Sequence, residues 1–240
     1  MELFEFETID SLPALHHPGL EMIVIADLHL GLEASMTSMG SYVPEFQLDD
    51  LREELEDARR ETEASRLLVN GDLKNEFRTS YAERSEVQEF LQFAKETFDE
   101  VILVKGNHDT MIEETVDREG LELQENYSED GVTFAHGHEK VGNGYDTLVI
   151  GHEHPALKLE DEIGVSEKVD CFLYGEMRDG SNIIVMPSYA QVSEGSQVNE
   201  MPQKELLSPV LREQVDIDEL EAVAVSREAG LFEFPEIGRI

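Results

Sequence analysis

The sequence predicts an α/β protein, with a parallel, helix-crossed sheet in its first half packed on a second, mostly antiparallel sheet. Three observations predict it. As far as Asp109, short apolar runs alternate with helix-length amphipathic stretches. Each of those runs stops at a polar motif. From Leu121 the texture changes to short strand-like runs with tight turns between them.

The first run, Met22 to Ala26, reads Met-Ile-Val-Ile-Ala, and Leu67 to Val69 and Val101 to Val104 are two more. Runs this short and β-branched fit strands buried on both faces. They end at Asp27, at Asn70-Gly71-Asp72 and at Lys105-Gly106-Asn107-His108. Ligands gather at the carboxyl ends of strands in open α/β sheets. Pro44 can open the first helix, where Leu48, Leu51, Leu55 and Ala58 fall on one face. Ser80 with Glu83 resembles a capping box for the second, whose stripe is Val87, Phe90, Leu91, Ala94 and Phe98. Strand, helix, strand, helix, strand predicts right-handed crossovers. Thr110 and Glu113 can cap a short third helix ending near Gly120.

The second half offers strands at Leu121 to Leu123, Val132 to Ala135, Leu148 to Ile150, Ala156 to Leu159, Val169 to Tyr174 and Ile183 to Met186. Asp130-Gly131 and Asp179-Gly180 are hairpin signals. Ser188 to Lys204 is polar and reads as a long loop, and Leu220 to Val225 as a final strand. His16 and His17, beside Pro18, read as surface, and Cys171 as core.

The 240 residues suffice for a sizeable core. One domain spanning residues 1–240 is expected, because candidate ligands run from Asp27 to His154 and must converge. Its metal-site core covers about 20–190 and a C-terminal strand region about 205–240. Acidic residues number 54 against 18 basic, only 7 of them lysine, for a net charge of −36. Such self-repulsion weakens a compact state in dilute buffer. At molar salt the Debye length falls to about 3 Å and the penalty largely vanishes. The composition therefore points to a salt-loaded cytoplasm, that of a halophile. Hydrophobic content of 40% argues against disorder. Without a basic run, counterion release can add little to nucleic-acid binding. Bound metals would have to hold a scissile phosphate instead. Cys171 is the single cysteine, so no internal disulfide can form. The acidic start, Met1 to Glu7, lacks signal-peptide features, and no run approaches the ~20 apolar residues of a membrane span. A cytoplasmic location and no membrane partner are expected.

The chemistry lies in Asp27 and His29, Asp72, the stretch Asn107, His108 and Asp109, then His136, His152 and His154. Asp-x-His at a strand end lets a carboxylate and an imidazole reach one cation. A glycine before Asp72 lets the chain turn sharply, and a carboxylate there can bridge two metals. Without His108 and Asp109, the set holds two carboxylates, one amide oxygen and four imidazoles. That exceeds one tetrahedral zinc. It suits two ions about 3.5–4 Å apart, the arrangement that hydrolyses phosphate esters. Mixed N/O ligation suits Mn, Fe, Ni or Zn. Lys74, Asn75, Glu76 and Glu33 either line the site or form solvated turns.

Asp-x-His, Gly-Asp, Gly-Asn-His-Asp, a His-Gly step and Gly-His-x-His, in that order from Asp27 to His154, resemble the calcineurin-like metallophosphoesterase superfamily. Ile25 to Glu33, Gly71 to Phe77 and the tail Glu205 to Pro209 resemble its archaeal SbcD-related branch. The resemblance implies a four-layer α/β/β/α sandwich. It implies one metal, expected to be Mn, on Asp27, His29, Asp72 and His154, and a second on bridging Asp72, Asn107, His136 and His152. His138 can exchange roles with His136, which is preferred because it directly follows Val132 to Ala135. His108 would protonate the leaving oxygen with Asp109 orienting it, and a metal-bridging hydroxide would attack in line. Phosphodiesters are the expected substrates, with nucleic-acid ends or a nucleotide among them. The alternatives are a phosphomonoesterase, a phosphoprotein phosphatase and a catalytically silent interaction module like the retromer subunit of this fold. The absence of a second Arg-bearing phosphate motif near Gly106 to Asp109 argues against the phosphoprotein phosphatase, and His108 argues against the silent module.

Overall fold

A computed structural model describes residues 1–38, 47–76, 81–160, 164–191 and 195–240. Three short strands open the chain: β1 (Glu2–Leu3), β2 (Phe6–Thr8) and β3 (Leu15–His17). Next come β4 (Met22–Ile25), α1 (Leu32–Ser38), α2 (Gln47–Thr62), β5 (Arg66–Asn70), α3 (Tyr81–Thr97), β6 (Glu100–Val104), α4 (Glu113–Arg118) and β7 (Leu123–Gln124). The second half holds β8 (Asn126–Glu129), β9 (Val132–Ala135), β10 (Thr147–Ile150), β11 (Pro155–Glu160), β12 (Ser166–Glu176), β13 (Asn182–Val185) and β14 (Ser196–Gln197). Last are α5 (Pro209–Glu213), β15 (Glu221–Ser226) and β16 (Gly230–Glu236).

The first sheet runs β1-β2-β3-β4-β5-β6-β7. Its β4–β5–β6–β7 part is parallel, as the helical crossovers require, and β1 to β4 pair antiparallel. The second sheet is also mixed. β9, β10 and β13 pair in parallel, and β12 pairs antiparallel with β11, β13 and β15.

The β4 side chains show why the run is apolar on both faces. Ile23 and Ile25 pack with Leu51, Leu55, Phe90 and Leu91 of the helices. Met22 and Val24 pack against Phe134, Val149, Phe172 and Ile184 of the second sheet. On the far face of that sheet, Leu148, Ile150 and Leu173 meet Val210, Leu211 and Val215 in and beyond α5. The order of layers is therefore helices, sheet, sheet, helix. Each fully buried Leu, Ile or Phe contributes about 1.5–3 kcal/mol, so the two sheets are held mainly by their shared apolar faces.

Several sequence expectations change. The N-terminal segment forms β1 to β3, and His16 and His17 lie buried in the last of these rather than on the surface. The His17 ring stands edge-on to Phe6, and its Nδ1 accepts from the Leu20 N–H at 3.0 Å. The strand at Leu121 to Leu123 shifts to Leu123–Gln124 and joins the first sheet, beside β6. Helix α4 forms, with Ile112 rather than Thr110 at its N-cap position. Ser188 to Lys204 is no simple loop: β14 pairs with β11, and Ser188 and Tyr189 are buried. Strand β16 follows the expected last strand. Pro44 and Ser80, read as helix openers, lie outside the described residues. Cys171 is in the core as expected.

Candidate metal centre

Ligand candidates from both sheets meet where β4, β5 and β6 of one sheet and β9 and β10 of the other end. The loops are knitted by backbone bonds: Asp27 N–H to Gly71 O and His29 N–H to Asp72 O at 3.0 Å each, and Gly151 N–H to His136 O at 3.0 Å. Five of the residues sit in the left-handed region: Asp27 (φ 56°), His29 (46°), Asp72 (48°), His152 (64°) and His154 (46°). Each such non-glycine residue costs on the order of 1–3 kcal/mol and persists only where its surroundings over-determine it.

Two glycines permit the approach of the loops. A Cβ on Gly71 would lie 2.1 Å from His136 Nδ1, and one on Gly106 would lie 2.1 Å from Asp72 Oδ1. Gly-Asp and Gly-Asn-His-Asp thus start with glycine because another loop's side chain occupies that space.

The two aspartates are used alike. Asp27 Oδ2 accepts from His152 N–H at 3.0 Å, and Asp72 Oδ1 accepts from His108 N–H at 2.8 Å. The other oxygen of each faces imidazoles. Asp27 Oδ1 is 3.2 Å from His154 Nε2, and Asp72 Oδ2 is 3.3 Å from His136 Nε2 and 4.0 Å from His29 Nε2. His29 Nε2 and His154 Nε2 face each other at 3.3 Å, and Asn107 Oδ1 lies 3.0 Å from His136 Nε2. Among the described residues three donor groups emerge: Asp27, His29 and His154; His29, Asp72 and His108; Asp72, His136 and His152.

Charge follows position. Burial disfavours the Asp27 carboxylate, but His154 and His136 outweigh it and hold its pKa low. Asp72 behaves the same way, against burial, through His136 and His29. Burial disfavours the His136 cation, yet the Asp72 hydrogen bond and the Asp27 charge raise it to about 9. His154 is also raised, by Asp27, despite burial. Burial lowers His29 and His152 to about 4, so both are neutral near pH 7 with lone pairs available.

These residues fit divalent cations. Asp27 Oδ1 is buried without a hydrogen bond. The paired ring nitrogens of His29 and His154 crowd against carboxylate oxygens, as donors do around a shared cation. Mixed oxygen and imidazole donors suit transition metals and Zn.

All nine predicted residues are brought together. His136 is 1% exposed and inside a donor group. His138 is in none of these groups and lines a cleft of about 220 Å³ with Glu125 and Lys140. One contact differs from expectation. The His108 Nδ1 meets the Asn75 carbonyl oxygen. Both Asp109 oxygens turn inward and accept from backbone amides, Gly106 at 2.8 Å and Lys74 at 3.3 Å. Asp109 braces the loop, and its carboxyl rises to about 6 through burial and the Asp72 charge. Lys74 is fully buried behind it, not in a solvated turn, and its Nζ donates to Glu76 O.

The sequence reading missed three supports. Ser188 Oγ donates to Asp27 O at 2.8 Å. The Asn70 carbonyl lies 3.3 Å from His136 Nδ1, and Asn70 Nδ2 donates to Val149 O across the sheets at 3.1 Å. Glu153, the variable position of Gly-His-x-His, is fully buried and accepts from Leu207 and Ser208 N–H at 3.1 and 2.8 Å. Only Asn70, a polar residue closing an apolar run, left a signal in the sequence.

The fold and the cluster define a class: two packed mixed sheets with an Asp/His site at their strand ends. The chain belongs to the calcineurin-like phosphoesterase family, whose model matches residues 20–170, more than half of it. Among solved structures, the nuclease MPE of Pseudomonas putida shares the fold at TM-score 0.65 and 16% identity, covering 97% of this chain and 99% of its own. Yfce, a phosphoesterase from E. coli, aligns at TM-score 0.42 and 19% identity over 90% of this chain and 98% of its own. No curated protein matches the chain.

Proposed function

We propose that this protein is a dinuclear metal-dependent phosphodiesterase acting on nucleic-acid ends or a nucleotide. The observation that carries it is the pair of donor groups, Asp27 with His29 and His154, and Asp72 with His136 and His152, each with its donor atoms close enough together to hold a cation. Asp27, His29 and His154 would hold one ion, and Asn107, His136 and His152 the other. Asp72 would bridge, since its Oδ2 faces both His136 and His29. Mn²⁺ is the ion proposed for both positions. Two bound cations would neutralise phosphate charge and acidify a water there.

The chain's own residues do the rest. His108 is the proposed acid. Its Nδ1–H donates to Asn75 O, which leaves Nε2 to carry the proton given to the leaving oxygen. Nε2 lies 3.9 Å from Asp72 Oδ2, and the ring is partly exposed, so substrate can reach it. Asp109 holds the loop that presents His108. Asp72 ties that loop down through the His108 N–H. The acidic surface supports work in a high-salt cytoplasm.

The test is hydrolysis of an aryl phosphodiester against the matching monoester, in molar KCl with Mn²⁺. We expect faster diester cleavage, falling about 10²–10⁴-fold in His108→Ala. Preference for the monoester would make it a phosphatase. No turnover by folded, metal-loaded protein would leave only an interaction module.

A further inference from the structure

The tail motif Glu205 to Pro209 has no part in the proposed chemistry, yet it is bolted to the site. We infer that Glu153 and Ser208 form a clasp that positions the histidine loops of the second sheet. This inference rests on the metal-site reading above. Glu153 sits between His152 and His154, and both its oxygens accept backbone N–H groups of the tail, Leu207 at 3.1 Å and Ser208 at 2.8 Å. The Ser208 hydroxyl donates to the Gly137 carbonyl at 2.8 Å, one residue beyond His136. Its oxygen also accepts from Val210 N–H and so caps α5.

One buried serine thus joins the loops that follow β9 and β10. Its N–H holds the loop of His152 and His154, and its hydroxyl holds the loop of His136. Glu153 and Ser208 are both fully buried, so water cannot replace these bonds. The tail backbone is fixed from its other side as well. Arg212 Nη1 donates to Leu206 O and to Leu207 O at 2.6 Å each. The strap therefore arrives rigid, and α5 is anchored in turn by Val210 and Leu211 in the core. Loosening it leaves every ligand present but lets the His136 and His152 loops drift apart. Outer contacts of this kind change metal affinity by about 10–100-fold. Glu153 and Ser208 are positioning residues: neither touches a cation or substrate.

The test uses the full chain with Ser208→Ala, Glu153→Gln, the double variant and Val215→Ala. Val215 packs in the same core cluster and serves as the control for lost stability. Two readouts are taken: stepwise Mn²⁺ titration followed by electron paramagnetic resonance, and hydrogen exchange of the metal-free protein. We expect each clasp variant to bind at least one Mn²⁺ about tenfold or more weakly, with the double variant no worse than the weaker single. Exchange at the Gly151 and His152 amides should quicken in both. Val215→Ala should lower Tm without either change. Wild-type affinity or unchanged exchange in the clasp variants overturns the inference, as do equal changes in Val215→Ala. A wild-type chain that binds no Mn²⁺ defeats the metal reading instead, and the exchange arm still decides whether the clasp holds the loops.

Discussion

The two sheets bring different donors to one place. Among the described residues the first contributes the oxygen donors, from Asp27, Asp72 and Asn107, together with His29 and His108. The second contributes imidazoles to the donor groups, from His136, His152 and His154. Each donor group built on Asp27 or on Asp72 with His136 therefore draws from both. Of the three groups among the described residues, only His29 with Asp72 and His108 draws on the first sheet alone, and the two that would hold the proposed pair of cations both cross between the sheets. The apolar interface between them is as much a part of the centre as the ligands are.

Two core substitutions would break this comparison most severely. Phe134 is fully buried between the sheets, two residues before His136. Leu91 is equally buried, but between the first sheet and its helices. Phe134→Ala should cost about 3–5 kcal/mol of stability and Leu91→Ala about 2–5 kcal/mol. Only Phe134→Ala should also weaken metal binding. Denaturant titration with parallel Mn²⁺ binding checks this, and equal metal loss in both would erase the distinction between the two cores.

The donor asymmetry has a pH signature. In the metal-free protein the second sheet's His136 titrates at about 9, raised by Asp72 and Asp27 against burial, and His154 is raised too. Near pH 7 His136 is therefore an imidazolium and must lose its proton to bind a cation. Metal binding should release protons at pH 7, and apparent affinity should climb by up to about tenfold per pH unit until about 9. Calorimetry in buffers of different ionisation enthalpy reads the protons directly. Heat independent of the buffer would contradict the assignment of His136. The smallest effect is expected from salt on the loaded site, because buried pairs are screened little. The metal-free chain, at −36, should by contrast lose structure below molar salt, visible by circular dichroism.

What could be read in the sequence follows the same division. Strand ends in the first sheet were legible because apolar runs stop abruptly at Asp27, Asn70 and Lys105. The candidate donors were legible because most of them stand beside a glycine: Asp72 after Gly71, Asn107 after Gly106, His136 before Gly137 and His152 after Gly151. The supports were not, because they are backbone contacts over long separations. Asn75 orients His108 through a carbonyl oxygen that every residue possesses. Ser188 reaches Asp27 across 161 positions, also at a carbonyl. The first three strands were missed because each is only two or three residues long. His16 and His17 misled because Pro18 suggests a loop, whereas it begins the helical turn that follows β3.

The central claim is that Asp72 joins two cations between the sheets. Anomalous diffraction from crystals grown with Mn²⁺ in molar salt tests it most directly. The account predicts two peaks per chain, one near Asp27, His29 and His154 and one near Asn107, His136 and His152, with Asp72 ligating both. A single peak, or two ions that do not share Asp72, would contradict it.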